Sequence, residues 1–235
     1  KDSTIFISRE ADNSILEYDL HGQLTGRRLK VPSIFNGSTA QYGFEALTYN
    51  KKTHLFWTTS ESTLRCDGAQ ANPQNQVCNR LRLQSVDENL LPQTEYAYRL
   101  DSPKTKKNAS NYAMGVPALT ALNDGRLLVL EREFLVTQGK LGSFVINKIY
   151  CVNPNVGISV SPDTALQSDS PYLAKTLIAE WKTTLSLFCQ DLANYEGMCL
   201  GPQLANGSQV LVLCADSQNQ YGGVLRDWFR TIVIR

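Results

Sequence analysis

The sequence predicts an all-β protein, a β-propeller of four-stranded antiparallel blades, and three observations carry that reading. Short apolar segments separated by polar turns fill nearly the whole chain, the pattern of many short strands. Phe44-Glu45-Ala46-Leu47-Thr48 leading to Leu55–Glu61 is echoed by Pro117-Ala118-Leu119-Thr120 leading to Leu127–Glu133, a period of 72 residues from Ala46 to Ala118. Asn194-Tyr195-Glu196-Gly197-Met198, closing on Leu211–Asp216, has nearly the same layout. Strand pairs repeated in this way mean a radial array, because one such unit cannot bury both of its faces alone.

Each element follows from local pattern. Thr4–Ser8 is a short apolar strand, and Ser14–Asp19 with Leu24–Val31 makes a hairpin turned by His21-Gly22. Phe44–Tyr49 and Leu55–Thr59 flank the polar turn Asn50-Lys51-Lys52-Thr53. Leu81–Leu83 and Tyr96–Leu100 alternate with period two, as half-buried strands do. Ala118–Leu122 and Arg126–Glu131 flank Asn123-Asp124-Gly125, and Phe144–Val152 and Tyr172–Ala179 complete that group. Met198–Leu200, Val210–Cys214 and Trp228–Ile234 end the chain. One helix is expected, Thr183–Leu192, capped by Thr183 with Leu185, Phe188 and Leu192 on a shared face. The strands fall into groups of three, four, four and three. The first group lacks the innermost strand that opens the others, and the last lacks a fourth. About four blades of a five- or six-bladed propeller are therefore visible. A double-sheet sandwich is the rival architecture, but it leaves the repeat unexplained.

Composition bounds the class. The 235 residues suit one domain spanning 1–235, and 42 % hydrophobic with 19 % charged residues is the balance of a folded chain, not a disordered one. A formal net charge of +1 supplies no global field for nucleic acid or an anionic membrane. The basic cluster Lys104, Lys106, Lys107 sits among Ser, Pro and Asn and reads as a solvated loop. No apolar run approaches the ~18 residues of a membrane span, and no leader peptide is visible. The chain opens within a strand, so upstream sequence is expected to have been processed, trimmed or left out. Of the six cysteines, Cys66 and Cys78 bracket a polar loop that a disulfide would stabilise by ~3 kcal/mol, which points to an oxidising compartment. Cys199 and Cys214 read as small buried hydrophobes on neighbouring strands.

The repeat also places the chemistry. Glu10, Glu61, Glu133 and Asp216 align after the second strand of their groups, and Glu45 and Glu196 align at the start of innermost strands. Innermost strands converge on the axis, so Glu45 and Glu196 are expected to face one polar cavity. Glu10, Glu61 and Glu133 are expected to point to solvent. Carboxylates that converge raise one another's pKa unless a cation is present, and oxygen-only sets favour calcium. His21 and His54 read as turn residues. No Gly-x-Ser-x-Gly elbow, P-loop or His-Glu-x-x-His helix occurs.

Gly43-Phe44-Glu45-Ala46-Leu47, the run Asn123–Arg132, and Asn194–Met198 followed by Gly201-Pro202 carry a resemblance. From about Ile5 onward the chain resembles the phytase-like family, or "esterase-like activity of phytase" family, of secreted or periplasmic propeller proteins. The resemblance implies phosphate-ester hydrolysis supported by calcium on a small-molecule phosphate ester, in a monomer without nucleic-acid partners. It implies a polar set around the channel mouth of Glu10, Glu45, Glu131, Arg132, Glu196 and Asp216. It also implies secretion or periplasmic export, or anchoring at the cell surface through an N-terminal segment lacking here, since the family's opening Gly-Gly-Leu-Ser-type segment does not occur. Arg9 stands where the family has an aspartate, Pro117-Ala118 replaces a Ser-acid pair, and Ser217-Gln218-Asn219 replaces Asp-Asn-Phe. These departures weaken a multi-calcium centre.

Two functions follow. In the first, calcium held by Glu45 and Glu196, with Asp216, Glu131 and Glu10 as further ligands, neutralises substrate phosphate while Arg132 clamps its oxygens. Glu196, Glu45 and Arg132 are then the catalytic set. In the second, the chain is a non-catalytic ligand- or metal-binding propeller that keeps the fold and has lost part of its acids.

Overall fold

The structure, a computed structural model, describes residues 4–37 and 42–234. The described residues form four antiparallel sheets. Sheet 1 holds β1 (Thr4–Arg9), β2 (Ser14–Asp19) and β3 (Leu24–Arg28). Sheet 2 runs outward from β4 (Phe44–Asn50) through β5 (Leu55–Ser60), β6 (Arg80–Val86) and β7 (Pro92–Arg99). Sheet 3 has β8 (Asn111–Ala121), β9 (Leu127–Val136) and β10 (Phe144–Val152). Next in the chain, the two-residue β11 (Ser159–Val160) leaves sheet 3 to extend sheet 2 beyond β7. β12 (Lys175–Thr184) then returns as the outer strand of sheet 3. Sheet 4 is β13 (Tyr195–Gln203), β14 (Gln209–Ala215) and β15 (Phe229–Ile234).

The sheets pack face to face in succession. Every residue of β9 is buried because its two faces meet different neighbours. Leu127 and Val129 join Trp57, Leu81, Leu83 and Tyr98 of sheet 2. Leu128 and Leu130 join Tyr195, Leu211 and Leu213 of sheet 4. A continuous apolar run is what a strand covered on both faces requires. Sheets 1 and 2 share a third cluster around Ile15, Phe44, Phe56 and Val86.

Small polar side chains stitch the inner edges together. Ser8 Oγ donates to the Glu45 carbonyl at 3.0 Å, and Thr48 Oγ1 accepts from the Ala121 N–H at 3.0 Å. Asn50 Nδ2 donates to the Leu122 carbonyl at 2.7 Å, and Thr120 Oγ1 to the Met198 carbonyl at 2.8 Å. These bonds satisfy backbone groups that sheet ladders leave open where one sheet gives way to the next. Two glycines let the backbones close up further. A Cβ at Gly43 would collide with the Glu10 carbonyl, and one at Gly115 with the Glu61 carbonyl. β1 thus stands to β4 as β5 stands to β8, the second-strand position expected for the first group.

Four expectations are corrected. Thr183–Leu192 is not a helix: β12 runs through Thr184, in register with Phe144, and a turn closed by a Leu185–Gln190 bridge follows. Thr183 does not cap; its hydroxyl donates to the Ala193 carbonyl and accepts the Ala193 N–H, both at 3.1 Å. Leu192 is buried while Phe188 is fully exposed, so the supposed shared face does not exist. Cys66 and Cys78 carry free thiols, so the expected disulfide is not made. Polar side chains order that loop instead: Asn72 Oδ1 accepts the N–H groups of Gln74 and Asn75, and Asn79 Oδ1 accepts that of Ala71. Cys199 and Cys214 are exposed, not buried. β8 begins well before Ala118, because residues 111–115 pair with 132–136 ahead of a bulge that takes Pro117, whose missing N–H costs no ladder bond there.

A buried ion triad pins the 153–173 insertion to sheet 2. Arg82 donates to both carboxylate oxygens of Asp67 at 2.7 Å and to Glu95 at 3.2 Å, and also to the carbonyls of Ser161 and Thr164. Asp67 in turn accepts the Leu166 N–H at 2.7 Å.

Candidate functional site

Each of the four sheets sends polar groups to one place, at the end where β4 and β13 begin and where β1 and β5 finish. Glu10 follows β1, Glu45 is the second residue of β4, and Glu61 follows β5. Arg132 comes from β9, and Asn194 and Glu196 from the start of β13. Arg132 lies at the centre and is buried. Its Nη2 pairs with Glu61, and its Nη1 with Glu196 and, at 2.9 Å, with Asn194 Oδ1. Asn194 Nδ2 also donates to Glu196 Oε1 at 2.6 Å, orienting that carboxylate.

One guanidinium does not balance four glutamates, and the protonation of the cluster shows it. Burial, reinforced by the charge of Glu61, pushes Glu45 up to about 9. The same two causes push Glu10 up to about 7. Glu196 and Glu61 are raised by burial too, with Arg132 pulling both back toward ionisation. Burial alone would lower Arg132, but Glu61, Glu45 and Glu196 hold it above its ordinary value. The centre therefore keeps protons on Glu45 and Glu10 near neutral pH while Arg132 stays charged. Tyr42 borders the cluster, its hydroxyl held protonated by burial and by Glu61.

Several polar atoms here have no hydrogen-bond partner: Glu45 Oε2, Arg132 Nε, both side-chain polar atoms of Asn147, and Trp181 Nε1. Arg132, Asn147 and Trp181 are cross-strand partners in one row over β9, β10 and β12, so three of these groups line the space between sheets 3 and 4.

The structure brings Glu10, Glu45, Glu196 and Arg132 together, Glu10 in the place the resemblance implies and not in solvent. It adds Glu61, which was expected in solvent and is buried against Arg132. Asp216 is exposed at the margin, where its charge still raises Glu196. Glu131 lies elsewhere, because successive side chains of a strand point to opposite faces. It accepts from Tyr98 Oη and Lys175 Nζ, each at 2.6 Å, in a separate cluster with Asp101 and Lys148. Glu133, expected in solvent, is instead buried; it shares the parity of Glu131 and accepts the N–H groups of Lys104 and Thr105. Both terminal nitrogens of Arg132 already bond acids or Asn194, so its expected role as a free phosphate clamp is reduced to the remaining Nη2 N–H and Nε. His54 is a surface turn residue at positive φ, 3.0 Å from Glu88. Asn194 was missed as a site residue although it opens the Asn-Tyr-Glu motif. The signals for Glu61 were its alignment with Glu10 and the glycine facing each of them, Gly115 and Gly43.

The donor set around Glu45 suits a hard cation: all oxygen, with surplus negative charge and one buried carboxylate oxygen without a partner. Among the described residues, however, no three His, Cys, Asp or Glu side chains are already arranged to hold a metal ion.

An all-β chain of successive antiparallel sheets with a carboxylate-rich centre at one end defines the class. The chain belongs to the phytase-like family: the family described as "Phytase-like: Esterase-like activity of phytase" matches residues 1–218. Comparisons with curated proteins and with solved structures give no match.

Proposed function

We propose that this chain is a β-propeller phosphoric ester hydrolase whose chemistry resides in the Glu10–Glu45–Glu61–Glu196 cluster around Arg132. Family membership supports phosphoesterase-type activity. One observation carries the assignment to this cluster: acids from separate sheets converge on one buried arginine with charge to spare. The successive face-to-face sheets with adjoining inner edges support the radial arrangement.

Calcium is the proposed cofactor, held by Glu45, Glu10 and Glu196 with Asp216 at the margin, and when bound it would neutralise phosphate charge and acidify a water. The chain's own groups have distinct roles. Without metal, Glu45 keeps its proton up to about pH 9 and Glu10 exchanges one near 7; calcium held by these carboxylates would displace both protons, which makes metal uptake proton-coupled. Arg132 favours the ionised forms of Glu61 and Glu196 against the effect of burial and orients both carboxylates. The protein is proposed to act outside the cytoplasm, in keeping with its family, and no described helix is long and apolar enough to cross a membrane.

A second reading is a binding propeller without turnover. Its support is the engagement of Arg132 with the chain's own groups, Nη1 with Glu196 and Asn194 and Nη2 with Glu61, which leaves only one Nη2 N–H and the buried Nε for a phosphate.

Hydrolysis of an aryl phosphate with calcium and with a chelator separates the two. The enzyme reading expects calcium-dependent turnover that falls by at least ~100-fold in Glu196→Gln, a loss of about 2.7 kcal/mol. The binding reading expects calcium uptake with no turnover. In both, uptake at pH 7.5 displaces protons, so the calorimetric heat must change with the buffer's ionisation enthalpy. A wild type that takes up no calcium removes the metal from both.

A further inference from the structure

We infer that a cavity beside the glutamate–arginine centre is a recognition site for an uncharged, hydroxyl-bearing group, a sugar or polyol without further charge, and that it selects the alcohol of the ester brought to the centre. The second half of this inference rests on the phosphoesterase reading; the first does not. The cavity has a volume of about 350 Å³, toward the small end of ligand sites, which run from about 300 to 1,000 Å³. Two tyrosines and four amides, Tyr42, Tyr112, Gln70, Asn72, Gln74 and Asn108, supply its aromatic and polar lining. The rest is alanine and proline, and among the described residues no charged side chain lines it.

That composition selects a class. An ionic group would enter without a counter-charge, which costs far more than burying a hydroxyl. Lys106 and Lys107 belong to the adjoining loop, but they stand exposed in water and do not line the cavity. A side-chain amide offers a carbonyl acceptor and an N–H donor side by side, and a hydroxyl both donates and accepts, so amides satisfy hydroxyls in either sense. The amides here have capacity to spare: the Gln70 amide, Asn72 Nδ2, Gln74 Oε1 and Asn108 Nδ2 make no hydrogen bond among the described residues. Tyr112 is held by its hydroxyl on Glu133 at 3.2 Å, so what it lends the cavity is its ring. An aromatic face suits the C–H side of a sugar or polyol.

The walls are set before any ligand arrives. Within residues 66–78, Asn75 Nδ2 donates to the Gln70 carbonyl at 2.8 Å, and Asn75 Oδ1 accepts the Asn72 N–H at 3.0 Å. Buried Asn79 donates to the Met114 carbonyl at 2.6 Å while its oxygen accepts the Ala71 N–H, which ties the loop to β8. Gln76 Nε2 donates to the Thr105 carbonyl at 2.9 Å and Gln74 Nε2 to Asn108 Oδ1 at 3.2 Å. The loops 66–78 and 100–110 therefore form one wall, and preorganisation of this kind lowers the ordering cost of binding. Tyr42 joins the cavity to the centre. It lines the cavity, and its hydroxyl is held protonated by burial and by the charges of Glu61 and Glu10. A group seated there is separated from the acids by one tyrosine.

Amide signals in two-dimensional NMR of the isotope-labelled chain test the site without needing turnover. Methyl α-glucoside and glucitol, at millimolar concentration, should shift the side-chain amides of Gln70, Asn72, Gln74 and Asn108 and saturate. Gln70→Ala with Asn108→Ala, read through Asn72 and Gln74, should weaken that binding by about tenfold, the effect of one or two hydrogen bonds, with the thermal midpoint unchanged. Should that pair melt early, Gln70→Ala alone, whose amide bonds nothing in the fold, should weaken it by about threefold. Myo-inositol hexakisphosphate, which has no free hydroxyl, should leave the signals in place. No shift with either uncharged probe, variants that bind as well as the wild type, or equal shifts with the hexakisphosphate overturn the assignment. So does a stronger shift with N-acetylglycinamide than with either probe, since the ligand would then be a peptide. In hydrolysis of glucose-6-phosphate with calcium, the double variant should raise KM by about tenfold and hold kcat. A fall in kcat with KM held overturns the selecting role. A chain that binds the uncharged probes and hydrolyses no ester keeps the site and loses the phosphoesterase reading, so the two failures are told apart.

Discussion

Two buried arginines organise this molecule, and they are built on opposite principles. Arg82 has every need met: both oxygens of Asp67, one of Glu95 and two carbonyls take up its N–H groups. Arg132 is surrounded by more acids than it pairs with and keeps an Nε without a partner; a buried carboxylate oxygen goes unpartnered at both arginines, on Glu45 beside Arg132 and on Glu95 beside Arg82, so it is the arginine's own donors that differ. The first joins an insertion to its sheet. The second holds protons and unspent polar capacity where four sheets meet, which is the condition of a centre made to engage something further. Burial of an arginine therefore says little by itself; the match between its donors and the acceptors around it separates a fastening from a site.

The largest expected effect tests the fastening. Arg82→Leu strands Asp67 and Glu95 in the interior and should destabilise the fold by about 3–5 kcal/mol, the range for breaking a buried pair from one side. Urea unfolding measures this, and a loss below about 1 kcal/mol would mean that water reaches the triad.

A smaller effect tests the site through pH. Below the ordinary carboxylate value of 4.5, Glu45 is protonated whether the chain is folded or not. Between 4.5 and about 9 the unfolded chain releases that proton while the folded chain keeps it, so stability falls as pH rises through this window. Glu10 adds a like fall between 4.5 and about 7. Thermal midpoints in chelator should therefore decline from pH 5 to 9, and Glu45→Gln should flatten the decline between 7 and 9. An unchanged slope in that variant would place the proton elsewhere.

The smallest effect sharpens the contrast within the Arg132 region. Asn147 is buried without a hydrogen-bond partner, so Asn147→Leu should be neutral or stabilise by up to about 1 kcal/mol. Asn194→Leu removes groups that bond Arg132 and Glu196 and should cost about 1–3 kcal/mol. Equal losses at the two positions would show that Asn147 is satisfied in solution by bound water.

Pattern along the chain was enough to identify the strands, the turn at Asn123-Asp124-Gly125, the repeat, and the shared position of Glu45 and Glu196. These are local or periodic properties, dictated by side-chain alternation and turn stereochemistry. The Thr183–Leu192 segment misled because Leu185, Phe188 and Leu192 mimic helical spacing, while the register with Phe144 that makes a strand through Thr184 is non-local. Glu61, Arg132 and Asn194 lie far apart in sequence, and nothing along the chain states that one guanidinium would gather them. Parity on β9 decided that Arg132 faces the acids while Glu131 and Glu133 turn to other partners. Sequence by itself determined which residues were available and how often their setting recurs. Tertiary structure alone decided which charges meet, because pairing depends on separation in space and on the water that packing excludes.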